Sequence, residues 1–217
     1  MQKLESIAED IRQDFEARSA ARDNALGQAR QLTRACSLAI RAVHRGEKAV
    51  MEAHLAEAQR LAESLKTGLS QYPDLFLAGY TQDALKEYVE ANITCALICE
   101  QPLPPPETLA VASATYLNGL AEAVGELRRR ILDILRHGYS EEAERLLGYM
   151  DDIYSVLVTM DYPDAITNGL RRQTDLVRSI IEKTRGDITF SLRGEHLEQA
   201  IQRLSAQLNG NQVEGRG

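Results

Sequence analysis

Apolar residues recur in steps of three and four along almost the whole chain, and a few Gly and Pro positions break the run. That period marks amphipathic helices, and no useful length shows the strict alternation of a half-buried strand. The pattern predicts one long helix over residues 3–45, or two with Gly27 as a soft point, ended by Gly46. A second helix is expected over about 47–70, closed by "QYPD", where Pro73 restricts the residue before it. A third covers about 75–100 and stops at Pro102, Pro104, Pro105 and Pro106; a fourth covers about 107–137. Ser140 is the expected N-cap of a helix reaching to about Asp161, after which "DYPD" breaks the chain again. Another helix over about 163–185 ends at Gly186, "DITFSLRGE" (187–195) has an extended character, and a last helix spans about 195–208. The expectation is an all-α bundle of about seven helices, a single domain over 1–208 with a disordered tail at 209–217. No repeat at a fixed period is present, which argues against a solenoid.

Composition narrows this picture. The 217 residues include no Trp and only 5% aromatics, so the core must be built from Leu, Ile, Val and Ala, as in helix-on-helix packing. A net charge of −7 speaks against non-specific nucleic-acid binding by the whole surface and leaves room for a local basic patch. Cys36, Cys95 and Cys99 form no metal-binding spacing and read as small buried apolar residues of a reducing compartment. The N-terminal stretch is charged throughout and no apolar run approaches the roughly 20 residues a bilayer span needs. A soluble, cytoplasmic protein without membrane contact is expected.

Charge patterning singles out the first helix. Ala25, Ala29, Leu32, Cys36, Ala39 and Val43 form one apolar band, and Arg30, Arg34, Arg41 and Arg45 lie opposite it, within about 60° of each other. No Asp or Glu falls between Asn24 and Gly46. Solvated helix faces usually mix signs, because opposite charges support the helix. An all-Arg face suits phosphate, onto which guanidinium forks. Both a solvated face and a nucleic-acid surface fit this pattern.

Two carboxylate pairs stand out next. Glu87 and Glu90 lie about 60° apart on one helix face, away from Leu85, Val89, Ile93 and Ala96. Glu122 and Glu126 lie about 40° apart on the next helix, away from Leu117, Leu120, Ala121, Val124 and Ile131. Such spacings are common on wet helices. If the two helices are antiparallel neighbours, the four carboxylates converge, and hard oxygens of this kind suit Mg²⁺ or Mn²⁺ rather than zinc. A di-iron site would want Glu-x-x-His pairs, which His44, His54, His137 and His196 do not supply.

The motifs "AIRAVHRGE", "ALKEYVEA", "YLNGLAEAVGELRRR" and "LRGE", in this order, resemble those of the translin/Trax family over residues 15–196. The resemblance implies an all-α, translin-like bundle and binding of RNA or single-stranded DNA. The Trax-like branch carries a metal-dependent endoribonuclease site with EYVE glutamates, here Glu87 and Glu90. It adds an acid at the position of Glu122, Asp in Trax, and a second carboxylate four residues on, Glu126. The expected function is thus a Mg²⁺-dependent endoribonuclease, with Mn²⁺ as an alternative ion, inside a homo-octameric shell. The four glutamates would be the metal ligands and catalytic groups, and the Arg stripe with Arg128 and Arg129 would contact phosphate. Arg130 completes that run. The alternative is a translin-like, non-catalytic nucleic-acid binder. Glu122 in place of Asp adds one methylene to a ligand side chain.

Overall fold

The computed structural model describes the backbone from Gln2 to Glu214 and the side chains of residues 3–207. Within these bounds every regular element is a helix. Six are long: α1 (Gln2–His44), α2 (Lys48–Gly68), α4 (Gly79–Ile98), α6 (Ser113–Leu135), α7 (Glu141–Leu157) and α9 (Leu170–Glu214). Three single turns, α3 (Pro73–Phe76), α5 (Pro106–Leu109) and α8 (Asp164–Thr167), sit in the connections.

The punctuation acts locally. Gly46 takes φ +71°, and its amide and that of Glu47 bond back to Val43 and Ala42 at 3.0 Å, closing the orphan carbonyls of α1. Ser140 caps α7 by accepting from the Glu142 amide at 3.2 Å, and Glu141, Glu142 and Glu144 line that helix's first turn. The expected apolar bands face inward: Leu32, Cys36 and Ala39 on α1, Leu85, Val89 and Ile93 on α4, and Val124 and Ile131 on α6 are all buried.

Two expectations are corrected. Gly186 does not end a helix and 187–195 is not extended; both lie inside the uninterrupted α9. A helix-ending Gly takes positive φ, whereas a Gly in helical conformation only costs about 1 kcal/mol. Burial of Ile181, Thr184 and Ile188 against the bundle offsets that cost. The expected tail at 209–217 overlaps α9 as far as Glu214, and residues 215–217 lie outside the described region.

The second correction is topological. Contacts between α4 and α6 rise in register, with Thr115 on Gln82 and Gly119 on Lys86 and Val89. The two helices therefore run parallel, not antiparallel. The proline segment is the reason: it is extended and carries the chain back along α4, with Tyr116 donating its hydroxyl proton to Pro104 O at 3.0 Å. Helix α9 follows the same direction, since Gln173 meets Glu122 while Thr184 meets Arg128.

The α4–α6 crossing is unusually close. A Cβ on Gly119 would lie 2.6 Å from Val89 Cβ and 2.8 Å from Lys86 O, so only glycine fits there. Beyond the bundle, α1 and α9 keep apolar side chains in the open. Leu4, Ile7, Ile11 and Phe15 are exposed on α1, as are Phe190, Leu197, Ile201 and Leu204 on α9.

Candidate metal centre

The α4–α6 seam places the two EYVE glutamates beside the acids of α6. One carboxylate oxygen each from Glu87, Glu90 and Glu122 lie within 4.8 Å of one another, and all three residues are partly buried. The pattern of charges on a helix face predicted solvent exposure; the parallel crossing instead folds the pair into the seam. The extra methylene of Glu122 does not take its carboxylate out of reach of the other two.

The electrostatics divide these acids into two kinds. Burial, joined by the charges of Glu87, Glu122 and Glu126, pushes the Glu90 carboxyl up to about 8. Burial, with the nearby Glu122 charge, also raises Glu87 above the usual carboxylate range. Among the described residues neither accepts a hydrogen bond from a protein donor. Glu126 is the opposite case. His44 Nε2 lies 2.6 Å from its Oε2, and that bond holds its carboxyl below the usual value despite burial. Since an ionised carboxylate only accepts, His44 Nε2 is the donor in this bond. The His44 side chain is 5% exposed and its Nδ1 is buried without a partner. Arg129 approaches the same Glu126 oxygen at 3.5 Å.

Glu122 is held from two sides. Lys86 Nζ lies 2.8 Å from its Oε1, and Gln173 Nε2 donates to the same oxygen at 3.4 Å. Burial works against the Lys86 ammonium, but the hydrogen bond and charge of Glu122 outweigh it and keep its pKa above the usual lysine value. Three convergent carboxylates, two of them raised by burial and each other's charge, fit a hard divalent cation. A cation there would relieve the repulsion that Lys86 only partly offsets.

The arginines separate as well. Arg30, Arg34, Arg41 and Arg45 are exposed along α1, and among the described residues none pairs with a carboxylate. Arg128 is engaged inside the chain, by Thr184 Oγ1 at 2.8 Å and Asp187 at 2.8 Å. Arg130 bonds Glu142 at 2.9 Å and reaches His44 O at 3.4 Å. Sequence reasoning did not single out Lys86, His44 or Gln173 as parts of the site. Lys86 directly precedes Glu87, a usable signal; Gln173 had none, because its role depends on α9 lying parallel to α6.

No family model matches the sequence. An uncharacterized protein of Methanocaldococcus jannaschii is 30% identical over 194 residues, spanning 88% of this chain and 86% of the relative. AfC3PO, solved alone and in complex with duplex RNA, is 32% identical with a TM-score of 0.79, covering 86% of this chain and 97% of that one. The fold is also that of apo-NeC3PO, at 22% identity and a TM-score of 0.78 over 85% of this chain and 96% of that one. Fold, motif order and relatives agree, and the chain belongs to the C3PO/translin family, the translin/Trax family its motifs resemble.

Proposed function

We propose that the protein is a metal-dependent endoribonuclease whose centre is Glu87, Glu90 and Glu122, with Mg²⁺ as the ion and Mn²⁺ as a substitute. The observation that carries this reading is the convergence of the three carboxylates at a closely packed helix seam, with Glu87 and Glu90 lacking protein donors. A divalent ion, when bound, supplies Lewis acidity toward a phosphodiester and lowers the pKa of a coordinated water. The chain's own groups do the rest. Glu126, kept ionised by His44, has an Oε1 without a protein partner among the described residues and can accept a proton there. Arg30, Arg34, Arg41 and Arg45 give α1 an exposed face of one sign that holds a phosphate backbone, with Arg129 at the rim of the site.

RNA as substrate is supported by the 32% identical AfC3PO, solved with duplex RNA. The same relationship, together with the exposed apolar residues of α1 and α9, supports a closed homo-oligomer, an octamer by family resemblance. The test is cleavage of labelled RNA by wild type, Glu90→Ala and Glu122→Ala, each with Mg²⁺ and with EDTA. Wild type is expected to cut only with Mg²⁺, and both variants to lose cleavage while retaining RNA binding. Cleavage that survives EDTA and both substitutions overturns the metal centre. Binding without any cleavage makes the protein a non-catalytic, translin-like RNA or single-stranded DNA binder.

A further inference from the structure

The charge balance of the seam gives Lys86 a role that none of the motifs assigns. Its ammonium lies 2.8 Å from Glu122 Oε1, 3.8 Å from Asp83, and close enough to Glu87 and Glu90 to stabilise their charges. Its side chain is only 24% exposed, so this contact is sheltered from the screening that weakens surface pairs. Glu122 is thus the one member of the triad that already has a cation, and the oxygen concerned also takes the Gln173 amide. Any dication drawing on the Glu122 carboxylate competes with that ammonium for the same negative charge.

We propose that Lys86 is the resident counter-ion of the metal centre. It neutralises Glu122 in the metal-free protein, is displaced from it when a divalent ion binds, and is thereby released at the rim as a ligand for substrate phosphate. The proposal rests on the metal-centre reading and deepens it. Three carboxylates, one dication and one ammonium make a formally neutral group; the one other carboxylate near the freed ammonium, Asp83 at 3.8 Å, is itself exposed and solvated, so an incoming phosphodiester is the stronger partner. Because the coupling is reciprocal, the lysine weakens metal binding by as much as metal weakens the lysine contact. The chain then holds metal less tightly than its carboxylates alone allow, and gains a phosphate contact that exists only in the loaded site.

The experiment uses the full-length protein as it assembles. Mn²⁺ affinity is measured by calorimetric titration for wild type, Lys86→Met, Lys86→Arg and Glu90→Ala, with helical content and oligomeric state verified for each. Duplex RNA binding is measured for the Mn²⁺-saturated and the EDTA-treated proteins. Lys86→Met is expected to bind Mn²⁺ about tenfold more tightly than wild type. It should also lose the Mn²⁺-dependent part of its RNA affinity, while Lys86→Arg keeps both near wild type. Mn²⁺ affinity in Lys86→Met that equals or falls below wild type overturns the counter-ion role. A wild type that takes up no Mn²⁺, or a Glu90→Ala variant that takes it up unchanged, overturns the metal centre and this inference together. Should Lys86→Met fail to fold, Lys86→Gln replaces it, and the same comparison of affinities decides.

Discussion

Glu90 is a costly residue to keep. Its carboxyl is held at about 8 in the fold against 4.5 unperturbed, so between these values the folded chain binds protons that the unfolded chain has released. The stability tied to this group is present below about 4.5 and is lost as pH rises through about 8. Glu90→Gln removes the charge and keeps the shape. The EDTA-treated variant is expected to be more stable than wild type at pH 8 by on the order of 1–3 kcal/mol, with a flatter Tm against pH. If the proposed metal centre holds, Mn²⁺ raises the Tm of wild type, and the variant is expected to lose that gain. Thermal melts across pH with EDTA and with Mn²⁺ check this; a variant less stable than wild type in EDTA contradicts it. Much of this was legible in residue spacing: the EYVE pair and Glu122 and Glu126 stand out as two acidic faces. Burial was not, because helical periodicity places a charge opposite a core band without revealing what crosses that face. Lys86 and His44 were hidden for the same reason, since each acts across helices.

At the scale of elements, two glycines make opposite cases. Gly119 is pressed against Val89 and the Lys86 carbonyl, whereas Gly186 has nothing within 4 Å of where a Cβ would stand. Gly119→Ala must push α6 from α4 and is expected to cost about 1–3 kcal/mol while weakening Mn²⁺ binding. Gly186→Ala, in the interior of α9, is expected to stabilise by about 0.5–1 kcal/mol and leave Mn²⁺ binding unchanged. Chemical denaturation and metal titration of the two variants, side by side, test the crossing as the ruler of the site. The helices themselves were readable from periodicity, down to the Ser140 cap and the Gly46 stop. What misled was the weight given to Gly186 as a stop and the extended character assigned to 187–195. Ile188 is buried, and tertiary packing overrode local propensity there. Likewise, a proline run announces a break without a direction, so the parallel return of α6 had to come from the structure.

For the whole molecule, the unpaired ends of α1 and α9 are the open account. Leu4, Ile7 and Ile11 on one helix and Leu197, Ile201 and Leu204 on the other recur at helical spacing and remain exposed, an apolar stripe on each helix of the kind that marks an interaction surface. Ile11→Glu and Leu197→Glu are expected to lower the assembled mass in light scattering without loss of helical content, because neither residue packs in the bundle core. Full assembly by both variants would remove these faces from the interface. The intact bundle, by contrast, needs no second copy to bring Glu87, Glu90 and Glu122 together. The close contact at Gly119 has a last consequence. The three glutamates stand on middle turns of two helices pressed backbone to side chain, with Val89, Val124 and Leu127 buried around them, and not on a loop. Such a seam has no partial opening of its own, because prying it apart exposes the centre of the core. The site should therefore share the fate of the fold: it survives, rigid, for as long as the bundle survives, and heat disperses the three carboxylates and melts the helices in one event.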